Sequence, residues 1–226
     1  GENLAAAALR AFRERAGWNG SPVRLAIEKR IPVAAGMAGG SADAAAALRL
    51  AARAAGGADE RVLREVAASL GADVPAQVRP GRWLATGAGE RLRRLPNPPA
   101  YGVLVLPGKE RLATADVYRE ADRQGLPRSA EDLAARLAEV ERVAHDLPAE
   151  LLVNDLEPAA LALCPQIGDA LEQARRAGAV HAMLCGSGPT VVGLFRDGDA
   201  ARAAALMLGD RDPRPLAVEP WGSRAG

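Results

Sequence analysis

Apolar positions in this chain recur with two periods, and the changes of period mark out its elements. Leu4, Ala8, Leu9 and Phe12 fall on one helical face, with Asn3 placed to cap that helix and Gly17 to stop it beyond Ala16. At Val23 the period drops to two. Val23, Leu25 and Ile27 alternate with Arg24 and Glu28, which predicts a half-buried strand over 23–27. Helical spacing resumes at Ser41 and continues through Ala44-Ala45-Ala46-Ala47-Leu48-Arg49-Leu50. Asp59 is placed to cap another helix, in which Val62, Leu63, Val66 and Leu70 share a face. Gly71-Ala72-Asp73-Val74-Pro75 breaks it, and short strands are expected around Gln77 and Trp83.

Pro96-Asn97-Pro98-Pro99 reads as a linker and divides a domain over 1–95 from one over 100–226. Beyond it, 101–106 reads as a buried strand. Helical patterns cover 113–121, 129–144, 148–163 and 165–177. Strands are expected at 179–184 and 190–195, joined by Gly186-Ser187-Gly188-Pro189, then a helix over 198–208 and a strand over 215–220. Strand, helices, strand, strand, helix, strand is the order of a split β-α-β unit, so the class is α+β.

Composition narrows the chemistry. At 226 residues and 49% hydrophobic, the chain can bury a sizeable core, built mainly of alanine and leucine because aromatics are only 3%. A net charge of +1 with both signs mixed gives no footprint for nucleic acid or a membrane surface. Lys29 and Lys109 are the only lysines. Cys164 and Cys185 form neither a disulfide framework nor, with the scattered His145 and His181, a zinc pattern. Cys185 reads as a small core residue at a strand end. No signal peptide is visible at Gly1-Glu2-Asn3 and no apolar run has the length of a membrane span, so the expected setting is cytoplasmic. The oligomeric state is left between monomer and homodimer.

The most specific stretch is Ile31-Pro32-Val33-Ala34-Ala35-Gly36-Met37-Ala38-Gly39-Gly40-Ser41-Ala42-Asp43. Almost no side chain covers this loop, and a helix follows it. Exposed N–H groups at a helix start, backed by the macrodipole, hold phosphate well. Glycine-rich loops before helices are also common without ligands. This one has neither the Gly-Lys-Ser/Thr of a P-loop nor the glycine spacing of a dinucleotide fingerprint. Asp73 has two readings of its own: a carboxylate projecting from a turn into a cleft, or an aspartate capping that turn.

Four segments together resemble the GHMP kinase superfamily. They are Lys29-Arg30-Ile31-Pro32 through Ala45; Leu70-Gly71-Ala72-Asp73-Val74-Pro75 with Ala85-Thr86-Gly87-Ala88-Gly89-Glu90; Thr114-Ala115-Asp116-Val117-Tyr118 with Asn154-Asp155-Leu156-Glu157-Pro158; and Cys185-Gly186-Ser187-Gly188-Pro189-Thr190. The resemblance implies a two-domain fold: the remainder of a ribosomal-protein-S5-like N-terminal domain, truncated of its first strands, and a ferredoxin-like C-terminal domain. Within the superfamily, the Gly-Ala-Asp-Val-Pro segment points to the branch that phosphorylates a cytidine diphosphate-linked methylerythritol in non-mevalonate isoprenoid precursor synthesis.

For single residues, the resemblance implies that ATP is held by Pro32, Val33, Ala34, Ala35, Gly36, Met37, Ala38, Gly39, Gly40, Ser41 and Ala42, mainly through backbone N–H groups, with Lys29 near the adenine or else solvated at the end of its strand. Ser41 also touches Mg²⁺ or caps the helix, and Asp43 complements its dipole. Asp73 accepts the proton of the attacking hydroxyl. Thr114, Tyr118, Gly186, Ser187 and Gly188 hold the small-molecule substrate, with Tyr118 stacked on cytosine or else packed on the core face of its helix. Gly186-Ser187-Gly188 reads equally as a plain hairpin connection, and Asn154-Asp155 reads as structural, a helix cap.

The pattern also departs from the family's. Met37, Ala38 and Ala42 replace its usual leucine, glycine and serine. Its N-terminal lysine, which pairs with the catalytic aspartate, and its Gly-Tyr-His motif match no residue of this sequence. Without that lysine, activity is expected to fall severely. Three functions stay open: this kinase, another GHMP small-molecule kinase acting on homoserine or a sugar, and a chain that binds nucleotide without catalysis.

Overall fold

A computed structural model describes residues 2–29, 31, 35–87, 89–143, 146 and 148–220. The candidates Pro32, Val33 and Ala34, and also Arg30, Ala88, Ala144 and His145, lie outside the described residues. The chain forms two compact units, Gly1–Val33 with Ala38–Leu95 and Ala34–Met37 with Pro96–Gly226.

In the first unit, helix α1 (Leu4–Ala16) starts where the side chain of Asn3 accepts a hydrogen bond from the Ala5 N–H at 2.9 Å. It ends at Gly17, whose φ of 61° is the left-handed conformation that closes a helix. Helix α2 (Gly39–Ala54) packs on α1 mainly through alanines, Ala5 and Ala8 on one side and Ala44, Ala45, Ala47 and Ala51 on the other, with Phe12 and Leu48 as the large side chains of the same cluster, all buried. Helix α3 (Glu60–Leu70) is capped by Asp59, which accepts from the Arg61 N–H at 2.7 Å. A short helix α4 (Val74–Val78) and the antiparallel hairpin β1 (Arg82–Thr86) and β2 (Arg91–Leu95) complete the unit.

No strand forms over 23–27, where Val23 and Leu25 stand 49% and 36% exposed. Alternation supplies a face but not a hydrogen-bonding neighbour, and β1 and β2 pair only with each other. Gln77 lies in α4 rather than a strand, because a proline near a helix start is pre-set for helix and Val74, Pro75 and Val78 bury one side of the turn. Helix α2 begins two residues before Ser41, so Ser41 is its third residue and not its cap.

The second unit is built on a four-stranded antiparallel sheet of β3 (Gly102–Leu106), β4 (His181–Leu184), β5 (Val191–Phe195) and β6 (Leu216–Val218), in the spatial order β4-β5-β3-β6. That order is the split β-α-β arrangement expected from the sequence. Helices α5 (Thr114–Arg123), α7 (Glu157–Leu163), α8 (Gln166–Arg176) and α9 (Gly198–Met207) contribute Val117, Ala160, Ile167, Leu171 and Ala201 to one core with Leu104, Leu106, Leu184 and Val191 of the strands. Helix α6 (Ala130–Arg142) has no fully buried residue. The expected helix over 148–163 is broken into a 3-10 turn (Ala149–Leu151) and α7. Asn154 causes the break, since its side chain accepts from the Leu156 N–H at 3.0 Å and so competes with helical bonding. No helix of the described residues is long and apolar enough to cross a membrane.

Candidate active site

In the first unit the site is a helix start without a cap. Ala38 precedes α2 with φ 47° and ψ 34°, a left-handed conformation that an alanine adopts at a cost of about 1–2 kcal/mol. No side chain caps this end, and the first helical bond runs from the Ala42 N–H to the Ala38 carbonyl at 2.9 Å. The N–H groups of Gly39, Gly40 and Ser41 therefore have no acceptor within the helix. Gly40 is exposed, and open space lies where its Cβ would stand. The Ser41 hydroxyl has no hydrogen bond within the described residues. Asp43 stands one turn in and receives a hydrogen bond from the Lys29 Nζ. Its partner is thus a lysine rather than the helix end, and Lys29 is drawn to the start of α2.

Asp73 directly precedes α4, in the position a capping residue would take, yet its side chain makes no capping bond. The carboxylate is exposed and has no partner among the described residues, so the turn-capping reading of this aspartate is not the one adopted. The turn itself is held from behind. Gly71 accepts from the Val74 N–H at 3.2 Å, Val74 and Pro75 are buried, and Gly89 of the β1–β2 turn presses on Ala72. A Cβ on Gly89 would stand 2.9 Å from the Ala72 carbonyl oxygen, which ties the two halves of this sequence segment together.

In the second unit a different pair of segments meets. The turn after β4 closes with the Gly188 N–H donating to the Cys185 carbonyl at 2.9 Å and the Cys185 N–H to the Thr190 carbonyl at 2.8 Å. Gly36, which belongs to this unit, lies against that turn. Its φ is 73°, and a Cβ there would stand 2.3 Å from the Cys185 carbonyl oxygen and 2.9 Å from the Gly188 nitrogen. Gly186 returns the constraint: its φ is 55°, and its Cβ would stand 2.6 Å from the Gly36 carbonyl oxygen. Two glycines from distant parts of the sequence thus fit only because neither carries a side chain. Ala35 beside them is buried, and Met37 is half-buried.

Ser187 is buried, and its hydroxyl shares a hydrogen bond of 3.0 Å with that of Thr114 at the start of α5. Tyr118 lies one turn further along the same face of α5 and is 55% exposed, while Val117 is the residue buried in the core. The ring is therefore not packed inward on the core. Burial pushes the Cys185 thiol above its ordinary range, so it stays protonated at neutral pH.

The structure thus brings Gly36, Gly186, Ser187, Gly188 and Thr114 together in one unit. In the other it sets the open start of α2 beside Lys29 and presents Asp73 on a braced turn. Asn154 and Glu157 also bear on this turn, through bonds to the Leu184 and Gly186 carbonyls and to the Leu184 N–H that the local Asn-Asp-Leu-Glu spacing does not reveal.

Residues 3–81 match the GHMP kinases N terminal domain and residues 130–213 the GHMP kinases C terminal domain. The chain belongs to the GHMP kinase family. Among its curated relatives, the 4-diphosphocytidyl-2-C-methyl-D-erythritol kinase of Streptomyces avermitilis is 44% identical over 91% of this chain and 70% of its own length. The enzyme of the same name from an Anaeromyxobacter species is 43% identical over 93% of this chain and 66% of its own. The chain therefore spans about two thirds of the length of these relatives. A crystal structure of 4-(cytidine 5'-diphospho)-2C-methyl-D-erythritol kinase superposes with a TM-score of 0.73 at 34% identity, covering 97% of this chain and 77% of that one. Homoserine kinase from Cytophaga hutchinsonii shares the fold alone, with a TM-score of 0.70 at 18% identity over 96% of this chain and 75% of that one.

Proposed function

We propose that this chain transfers the γ-phosphoryl group of ATP to a hydroxyl of the methylerythritol moiety of 4-diphosphocytidyl-2-C-methyl-D-erythritol. In this reading 1–95 form the ATP-binding domain and 100–226 the C-terminal domain. The observation that carries it is the start of α2, where three successive N–H groups have no acceptor within the helix and, among the described residues, no capping side chain. The relatives' names supply the substrate class.

Phosphoryl transfer asks little covalent chemistry of a protein; it asks for in-line placement and charge stabilisation. Gly39, Gly40 and Ser41 would hold phosphate oxygens through their N–H groups, and Lys29 adds a cation beside the same helix start. Among the described residues no group of three or more His, Cys, Asp or Glu could hold a metal by itself. A Mg²⁺ ion bound with the phosphates would have the Ser41 hydroxyl as protein ligand. Bound there, it would neutralise charge on the phosphates. Asp73, exposed and unpaired among the described residues, would accept the proton as the substrate oxygen bonds to the γ-phosphorus and the bond to the ADP oxygen breaks. Tyr118 would stack on the cytosine, an interaction worth about 1–3 kcal/mol per base.

ADP release with Mg·ATP and 4-diphosphocytidyl-2-C-methyl-D-erythritol tests this reading. Asp73→Asn should lower kcat by about a thousandfold, the usual reach of a general base, with ATP affinity unchanged. A wild-type chain that releases no ADP, or an Asp73→Asn variant as fast as wild type, rejects the proposal.

A further inference from the structure

Asn154 spends its whole carboxamide on the backbone around the glycine turn. Its Nδ2 donates to the Leu184 carbonyl at 3.0 Å and to the Gly186 carbonyl at 2.7 Å. Its Oδ1 accepts from the Leu156 N–H at 3.0 Å. Three residues on, Glu157 Oε2 accepts from the Leu184 N–H at 2.8 Å. Leu184 is the last residue of β4, so its N–H is held by Glu157 and its carbonyl by Asn154. Beyond it, the Gly186 carbonyl is held as well. Gly186 has a left-handed φ and little conformational restraint of its own, so a turn of this kind needs external bonds to keep one shape. Asp155 pairs with Arg128, which anchors the segment that carries Asn154.

We infer that Asn154 is a positioning residue for phosphoryl transfer, fixing the Cys185–Gly188 turn in the one shape on which Gly36 of the glycine-rich loop can seat. This rests on the kinase reading above. The seat is narrow: Gly36 meets the Cys185 carbonyl and the Gly188 backbone at distances where no Cβ fits, and Gly186 meets the Gly36 carbonyl in the same way. A shift of the turn by a few tenths of an ångström would displace Gly36. The loop residues that follow it, Met37 and Ala38, lead directly into the first turn of α2. Asn154 touches neither nucleotide nor substrate; it acts through the turn.

The test uses the 226-residue chain. Asn154→Asp keeps the acceptor for Leu156 and replaces the donor by an oxygen that repels both carbonyls. Asn154→Ala, without that repulsion, serves if the first variant does not fold. Two readouts are taken: amide exchange at Cys185 and Gly188, and Mg·ATP affinity by titration calorimetry. Faster exchange at both amides and ATP binding at least tenfold weaker are expected. Combined with Gly36→Ala, the Asn154 substitution should add less than about threefold, since both act on the same contact. Unchanged exchange at Cys185 and Gly188 overturns the inference. So does ATP binding within twofold of wild type, or a double variant in which the two losses multiply. A wild-type chain that binds no Mg·ATP, while exchange responds as expected, counts against the kinase reading and leaves the mechanical role of Asn154 standing.

Discussion

Two helix starts in the same unit were solved in opposite ways. At α1 the Asn3 side chain satisfies an N–H that the helix leaves open, and Asp59 does the same at α3. At α2 the preceding residue is an alanine in a left-handed conformation, with nothing to offer the three N–H groups that follow. A cap is worth about 1 kcal/mol of stability, so leaving α2 without one is a cost to folding. The difference teaches where a ligand is expected. An open start alone does not mark a ligand, since α5, α7 and α8 also lack a side-chain cap; at α2 it coincides with the glycine-rich loop, and a phosphate is the group such an end holds best. Asp73 repeats the lesson in the opposite charge: it stands at a capping position before α4 and withholds its carboxylate from the backbone.

Giving α2 the kind of start that α1 has should break this contrast most sharply. Gly40→Asp places a carboxylate at an exposed position with room for it, where it competes with phosphate for the same N–H groups. Mg·ATP affinity should fall by about a hundredfold, a change of roughly 2.7 kcal/mol. Thermal stability should hold or rise, because an acid in the first turn suits the helix dipole. Calorimetry and a melting curve read the two effects, and a parallel loss of both would show that the α2 start is structural only.

Removing the cap of α1 is the reverse operation. Asn3→Ala should cost about 1 kcal/mol of stability in denaturant titration. It should leave ATP affinity within twofold. A smaller gain is expected from Ala38→Gly, which relieves the left-handed alanine. Stability should rise by about 0.5–1 kcal/mol, less than the full strain because glycine is the freer residue in the unfolded chain. A loss of stability there would mean that Ala38 is not strained as its φ implies.

Local rules were legible in the sequence wherever the deciding partner was near in the chain. Asn3, Gly17 and Asp59 act on residues two to four positions away, and their roles could be read directly. The succession strand, helices, strand, strand, helix, strand is itself the signature of the split β-α-β arrangement that the order β4-β5-β3-β6 realises. The failures have a common physical cause. Val23, Leu25 and Ile27 show a strand's alternation, but pairing needs a neighbouring strand, which periodicity does not supply. Asn154 looked like a local cap because one of its three bonds is local; the other two reach Leu184 and Gly186, some thirty residues away. At the candidate site, the loop and the glycine turn were each visible as motifs. Their interlock at Gly36 and Gly186 was not, since it depends on which backbone atoms meet.

The alanine seam between α1 and α2 has a consequence for how this chain tolerates change. Cores built of leucine and phenylalanine are damaged chiefly by truncation, which leaves cavities. Ala5, Ala8, Ala44, Ala45, Ala47 and Ala51 offer almost nothing to truncate. Away from Phe12 and Leu48, variation at this seam acts in essentially one direction, towards bulk, and even the two methyls that separate valine from alanine must push the helices apart. The helix with the open start therefore has its position fixed largely by residues already at their minimum size, and drift in sequence there is filtered by volume rather than by polarity.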